Sequence, residues 1–115
     1  MFIVDGTTIN LTRGDTFLAE VTLYENGAPY VPQEGDVITF RAKHSAMTMS
    51  GSRFLDDNVV IEKDVPTDTM LLRLEPEDTS GLKFGRYAYN LYLIKANGMK
   101  DTFIANGVLN LTAEV

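Results

Sequence analysis

Leu82-Lys83-Phe84-Gly85-Arg86-Tyr87 is the motif most informative about the fold, and a segment of alternating apolar and polar residues follows it directly. A leucine, a glycine three residues later and a tyrosine two residues beyond the glycine have the spacing of a tyrosine corner. In Greek-key β-sandwiches this corner stands at the entry to a late strand, and the tyrosine hydroxyl bonds to backbone a few residues upstream. We expect the acceptor within residues 78–81. Leu82, Gly85 and Tyr87 are therefore predicted to stabilise the fold, and they carry no chemistry.

Alternation of apolar and polar residues extends outward from this motif through most of the chain and predicts strands. Asn26-Gly27 and Asn97-Gly98 predict tight turns, and Asn106-Gly107 either separates two strands or forms a bulge in a longer one. Pro76 and the acidic residues after it predict one short helical turn near 76–81. We expect strands at 7–12, 16–24, 36–43, 59–65, 69–74, 85–94 and within 99–115, and a long loop at 44–58.

Seven to nine short strands with regular turns predict an all-β, antiparallel Greek-key (Ig-like) β-sandwich. The length of 115 residues fits one domain over 1–115. The inward positions of the alternating segments give the expected core: Ile9, Leu11, Phe17, Val21, Leu23, Ile38, Phe40, Val59, Ile61, Leu72, Leu74, Leu82, Tyr87, Tyr89, Leu91, Leu93 and Leu109.

Charge and composition exclude several functions. The chain has 16 acidic and 10 basic residues, for a net charge of −6, and the basic residues are scattered along it. A phosphate backbone needs clustered Lys and Arg, so we expect no nucleic-acid partner. The chain has no cysteine, which excludes disulfides and thiolate metal sites. No apolar run approaches the ~18 residues of a membrane helix, so we expect no membrane partner.

The sequence also offers little for catalysis. His44 is the single histidine and stands next to Ser45, whereas catalytic triads are assembled from separated positions. Asp56-Asp57-Asn58 lacks the spacing of a calcium loop and is interpreted as an acidic turn. Arg13-Gly14-Asp15 is interpreted as a turn, because an adhesion role would rest on three common residues. We therefore predict no catalytic, cofactor-binding or metal-binding residues, no cofactor, and no enzymatic activity.

Some apolar residues fall on the outward positions of the predicted strands. Grouped on one sheet they would mark a contact surface; the alternatives are scattered exposure and a second small core. The candidate interface residues are Leu18, Leu71, Tyr92, Ile94 and Phe103.

Three segments carry a resemblance to a known family. The first is 11–17 with 25–30, the second is 74–79 with Leu82, Gly85 and 87–91, and the third is 97–98 with 101–104 and 107–109. Their order and spacing resemble small Ig-like β-sandwich proteins of phages and prophages, and the N-terminal domain of siphophage upper-baseplate proteins. Residues 44–58 depart from that pattern, because the segment is longer and richer in Met and Ser.

The resemblance implies a non-enzymatic structural or assembly role in the virion, of tail or baseplate type. The implied partners are other virion or tail proteins and further copies of the chain, in the cytoplasm during assembly and then in the virion. The alternative is a carbohydrate-binding or adhesion module on the same fold, since sandwiches host many unrelated functions. Its candidate aromatic residues are Tyr24, Tyr30, Phe54 and Tyr92.

Overall fold

A computed structural model describes the backbone of residues 2–47 and 53–113. This part of the chain is all-β, with one helix of five residues. The strands are β1 (Phe2–Asp5), β2 (Thr8–Thr12), β3 (Phe17–Glu20), β4 (Tyr24–Glu25), β5 (Ala28–Pro29), β6 (Val37–Met47), β7 (Arg53–Val65), β8 (Leu71–Leu74), β9 (Gly85–Ile94) and β10 (Lys100–Thr112), and the helix is α1 (Pro76–Ser80). The ten strands exceed the predicted seven to nine because β4 and β5 are two-residue strands.

The larger sheet has six strands in the order β1-β2-β10-β9-β6-β7. Every pair in it is antiparallel except β2 and β10, which run parallel. The prediction of a wholly antiparallel sheet is therefore wrong. These two strands come from opposite ends of the chain, so no tight hairpin forces them to be antiparallel. The Asn110 side-chain amide donates to Asn10 Oδ1 at 3.0 Å across this pair.

The core lies between the larger sheet and a two-stranded ribbon formed by β3 and β8. Phe17 and Leu74 face each other across the ribbon, and both belong to the same buried cluster as Ile38 and Phe40 of the larger sheet. Of the predicted core residues, Val21, Val59 and Leu82 are only partly buried, and the other fourteen are buried. Three further residues complete the core: Ala42, Val65 and Leu111.

The predicted loop at 44–58 is wrong for most of its length. β6 continues to Met47 and β7 begins at Arg53, and their register pairs Ser45 with Leu55 and Met47 with Arg53. The pairing of β6 with β9 ends at His44, so the far end of the β6–β7 hairpin pairs only with itself among the described residues. Residues 48–52 and the side chains of 53–58, including the Asp56-Asp57-Asn58 cluster and Phe54, lie outside what the structure describes.

Two of the Asn-Gly pairs form the predicted turns, and the third forms a bulge. Asn26 and Gly27 both have positive φ, 53° and 80°, as a two-residue hairpin of the primed type requires. At Asn97-Gly98, the Lys95 N–H donates to the Met99 carbonyl at 2.8 Å and closes a longer hairpin. Asn106 has φ of 58° inside β10, where the register with β9 shifts between Ile104 and Gly107. β10 is therefore one long bulged strand.

Candidate functional site

The Tyr87 hydroxyl bonds to backbone upstream, and its acceptor is the Lys83 carbonyl oxygen at 2.6 Å. The predicted acceptor within residues 78–81 is wrong, because that segment is turned into α1 and its C-terminal turn, where the Leu82 N–H donates to the Thr79 carbonyl. Burial raises the pKa of Tyr87. Gly85 has φ of 135°, a conformation that a side chain would strain.

The turn between β2 and β3 packs against this corner. Arg13 Nη1 donates to the Leu82 carbonyl at 3.1 Å, and the Arg13 guanidinium lies 4.1 Å from the centre of the Phe84 ring. The Gly14 N–H donates to Thr79 Oγ1 at 2.9 Å, and Thr79 is fully buried. The Arg13-Gly14-Asp15 segment therefore contributes its arginine to the fold.

Two of the candidate interface residues lie on the outer face of the ribbon. Leu18 is opposite Arg73 and Leu71 is opposite Glu20, so the two leucines are diagonal neighbours on one face. Leu18 is 41% exposed and Leu71 is 36% exposed. We call this pair the ribbon patch.

Ile94 lies on the outer face of the larger sheet, where its direct partner is Val37. Ile94 is 37% exposed and Val37 is 43% exposed, and we call this pair the sheet patch. Sequence reasoning missed Val37, because its contribution depends on the pairing of β6 with β9. Three of the five candidates, Leu18, Leu71 and Ile94, are thus exposed and divide between two faces of the protein.

The two remaining candidates are less accessible than predicted. Tyr92 shares the outer face with Ile94, but Lys100 Nζ lies 4.4 Å from the centre of its ring and the residue is buried. The expectation that Phe103 points outward is wrong. The register shift of β10 between Thr102 and Ile104 displaces this residue, and its side chain packs against the core.

A depression of about 290 Å³ opens on the same outer face as the sheet patch, and we call it the basic hollow. Ala88 is its smallest lining residue and pairs with Lys43 of β6. Two long cationic side chains, Arg41 and Lys100, contribute to its lining. The lining residues are Arg41, Lys43, His44, Ala88, Asn90, Tyr92, Lys100 and Asn106.

The basic hollow was not predicted from the sequence, where the basic residues are scattered. The alternation in β6 and β9 does place Arg41, Lys43 and Asn90 outward. Only the strand order β10-β9-β6 brings Lys100 to them, and the sequence does not reveal that order.

A polar cluster holds the β4–β5 hairpin at one end of the larger sheet. The Tyr30 hydroxyl donates to Asp36 Oδ2 at 2.5 Å, and Lys95 Nζ lies 3.5 Å from Glu25 Oε2 and 3.7 Å from Asp101 Oδ2. The hydrogen bond to Asp36 raises the pKa of Tyr30 to about 12, with smaller contributions from desolvation and nearby carboxylates. The same bond lowers the pKa of Asp36. These contacts hold the β4–β5 hairpin against the larger sheet, so we assign the cluster a structural role.

His44 lies at the end of its pairing with β9. Its ring meets the Tyr87 ring edge-on, with 5.2 Å between the ring centres. Among the side chains that the structure describes within residues 2–47 and 53–113, no group of three or more His, Cys, Asp or Glu could hold a metal ion. In the same part of the chain, no helix is long and apolar enough to cross a membrane.

Comparison of the chain with protein-family models, with curated proteins and with solved structures gives no match in any of the three. The candidate surfaces are therefore judged on their own geometry: two exposed apolar patches on opposite layers, and a basic hollow beside one of them.

Proposed function

We propose that this chain is a non-enzymatic structural or assembly module of phage tail or baseplate type, and that it acts through protein–protein contacts. The observation that carries the proposal is the position of the sheet patch and the ribbon patch. Both are apolar pairs on the outer faces of sheets, where side chains are usually polar and solvated.

Each patch is small, but its geometry suits a protein partner. Directly opposed residues on one face of an antiparallel pair have Cβ atoms ~5 Å apart, and diagonal neighbours lie ~7–8 Å apart. Val37 and Ile94 are therefore direct neighbours, and Leu18 and Leu71 are diagonal neighbours beside Arg73 and Glu20. Grouped apolar exposure of this kind marks contact surfaces more often than isolated exposed residues do.

The two patches belong to different layers, and this favours assembly with copies of the same chain. One chain with two different surfaces can bind its neighbours head to tail, which generates rings or filaments. We infer a homo-oligomer or a ring shared with other virion or tail proteins, assembled in the cytoplasm and then carried in the virion.

The phage assignment and the finer architecture rest on the resemblance of the sequence segments. We propose an Ig-like Greek-key sandwich for this chain. Two layers around one core and the backbone bond of Tyr87 support that architecture, because a corner of this kind belongs to such sandwiches.

The experiment is light scattering on the purified protein, with capture of the products of neighbouring genes. We expect an oligomer, or capture of a tail protein, that is lost in Ile94→Glu or Leu18→Glu. Val31→Glu is the matched control, because Val31 is 70% exposed and belongs to neither patch. A strict monomer that captures none of these proteins would contradict the proposal.

Carbohydrate binding is the second candidate, and one hollow favours it. Tyr24 is 60% exposed and lines a shallow depression of about 460 Å³ together with Asn26, Asp101 and Thr102. An exposed ring next to amide and carboxylate groups can stack on a sugar and bond its hydroxyls. A glycan array tests it, and an absence of hits, or hits that Tyr24→Ala retains, would remove this candidate.

A further inference from the structure

The basic hollow exists because small and long residues alternate over neighbouring strands. Lys43 and Ala88 are direct partners on β6 and β9, and Arg41 is the partner of Asn90. Because the side chain of Ala88 is only a methyl group, a depression remains between the longer side chains around it. The bulge in β10 brings Asn106 to the rim, where its N–H donates to Asn90 Oδ1 at 3.0 Å.

The groups around this depression are mostly hydrogen-bond donors. Because Asn90 Oδ1 accepts from Asn106, the two amide hydrogens of Asn90 remain, and the structure describes no acceptor for them. Arg41 Nε lies 3.3 Å from Glu62 Oε2 as an ion pair, and this Nε is buried and donates no hydrogen bond. Lys100 adds an ammonium held over Tyr92.

The local charge is opposite to that of the whole chain. Three of the ten basic residues line the basic hollow, and none of the described lining residues is acidic. Two carboxylates on this face are on β7, where Glu62 contacts Arg41 and Asp64 accepts from Thr39 Oγ1 at 3.2 Å. Three cations and two asparagines around one depression form a surface complementary to an anion.

We propose that the basic hollow binds a carboxylate side chain in an acidic segment of a partner protein. This inference rests on the proposed function, since it names the chemistry of the partner at the outer face of the larger sheet. Arg41 and Lys100 supply charge, and the Asn90 amide supplies directional hydrogen bonds to the carboxylate oxygens.

The neighbouring sheet patch favours a peptide over other anions. Asn90 and Ile94 are on one face of β9 and four residues apart, which is ~13 Å along a strand. An extended peptide with an acidic residue and an apolar residue four positions later spans both sites. A nucleic acid would need a longer basic track than three cations.

The experiment follows the backbone amide signals of the isotope-labelled protein by nuclear magnetic resonance. The probe is an acetylated, amidated pentapeptide with glutamate first, leucine last and Ser-Gly-Ser between them. The matched control peptide carries glutamine in place of glutamate. Glucuronic acid and inorganic phosphate are run separately, as an acidic sugar and a free anion.

Ala88→Leu is the decisive variant, because it fills the basic hollow and changes no charge. Arg41→Gln removes one charge and provides a second test if Ala88→Leu does not fold. Arg86→Gln is the matched control: Arg86 lies on the same face two residues before Ala88 and does not line the hollow. Circular dichroism and thermal unfolding establish that each variant is folded.

We expect the glutamate peptide to shift the amides of 41, 88–92, 100 and 106, with an affinity that falls as salt is added. Ala88→Leu and Arg41→Gln should each weaken binding by about tenfold or more, and Arg86→Gln by less than about twofold. Equal shifts with the glutamine peptide, or no shifts at these amides, would overturn the proposal. Tighter binding of glucuronic acid would assign the hollow to an acidic sugar and overturn the peptide assignment.

The same variants separate this inference from the proposed function. If Ala88→Leu still captures tail proteins while the wild type binds no glutamate peptide, the hollow is not the docking site and the proposed function stands. If the wild type binds the peptide and neither oligomerises nor captures a protein, the anion site stands and the proposed function fails.

Discussion

Gly107 lies under the ring of Tyr89, its partner on the neighbouring strand. A Cβ atom added at Gly107 would lie 2.5 Å from Tyr89 Cζ and 2.6 Å from Cε1. The ring cannot easily move away, because its hydroxyl donates to the Thr7 carbonyl at 2.6 Å and its face packs on Phe40 with 5.0 Å between ring centres. We therefore predict that Gly107→Ala is strongly destabilising.

The magnitude follows from two contributions. Overpacking of a core contact costs ~1–3 kcal/mol, since the ring must retreat by about 1 Å to reach ordinary contact distance. Loss of the hydrogen bond to Thr7 costs a further ~0.5–1.5 kcal/mol. We expect a decrease of about 2–4 kcal/mol in the free energy of unfolding, a large part of the ~5–15 kcal/mol of a typical domain.

Urea unfolding measures this decrease, followed by circular dichroism and by tyrosine fluorescence, because the chain has five Tyr and no Trp. With an m value of ~1.5 kcal/mol/M, the midpoint should fall by about 1–3 M. Gly81→Ala is the control. Its φ of −90° suits alanine and no atom lies within 4 Å of the added Cβ, so it should be neutral or stabilise by up to ~1 kcal/mol.

A second variant tests the mechanism. In Tyr89→Phe the ring is no longer held by Thr7, so the cost of Gly107→Ala should be smaller by about 0.5–1.5 kcal/mol. A Gly107→Ala protein with the urea midpoint of the wild type would contradict the predicted clash, and an equal cost in both backgrounds would contradict the role of the bond to Thr7.

Three further predictions concern the corner and the polar cluster. Tyr87→Phe should lower the free energy of unfolding by about 0.5–1.5 kcal/mol, and an unchanged urea midpoint would contradict this. Thr79→Val should cost about 1–3 kcal/mol by leaving the Gly14 N–H without its acceptor, whereas Thr79→Ser keeps the hydroxyl and should restore most of that stability in the same assay. The bond between Tyr30 and Asp36 stabilises the fold between two pH limits. Folding lowers the pKa of Asp36, so the stabilisation from this carboxylate is complete above pH ~3.9 and is lost as the pH falls further. Folding raises the pKa of Tyr30, so the stabilisation from this hydroxyl is complete below pH ~10 and is lost as the pH rises toward about 12. Tyr30→Phe should therefore reduce stability most between those limits and least beyond them, which urea midpoints measured across pH would reveal.

The local patterns of the sequence predicted local structure well. Alternation placed β2, β6, β8 and β9 within a few residues of their bounds, because residues on one face of a strand share an environment. Pro76 and the acidic residues after it marked α1. The hairpin at Asn26-Gly27 followed from turn chemistry alone.

Features that depend on distant residues were missed. The parallel pairing of β2 with β10 joins residues about a hundred positions apart, as at Asn10 and Asn110, and no local pattern encodes it. The segment at 44–58 lacks clean alternation, yet its strands continue because each supplies backbone partners to the other. The prediction that Phe103 points outward was wrong because a bulge between Thr102 and Ile104 interrupts the alternation of the strand.

The candidate site was predictable only in part. Outward alternation identified Leu18, Leu71 and Ile94, and the structure places them on two exposed patches. The basic hollow could not be predicted without knowing that three strands lie side by side. The burial of Tyr92 could not be predicted without the pairing of β10 with β9, which brings Lys100 over its ring.

Sedimentation velocity of the purified protein, alone and with the products of neighbouring genes, shows whether this chain works by protein contact. The account predicts a species heavier than the 12.8 kDa chain whose fraction rises with concentration or on addition of a tail protein. That species should disappear in Ile94→Glu or Leu18→Glu and persist in Val31→Glu. A single monomeric boundary at every concentration, unchanged by every added protein, would contradict the account.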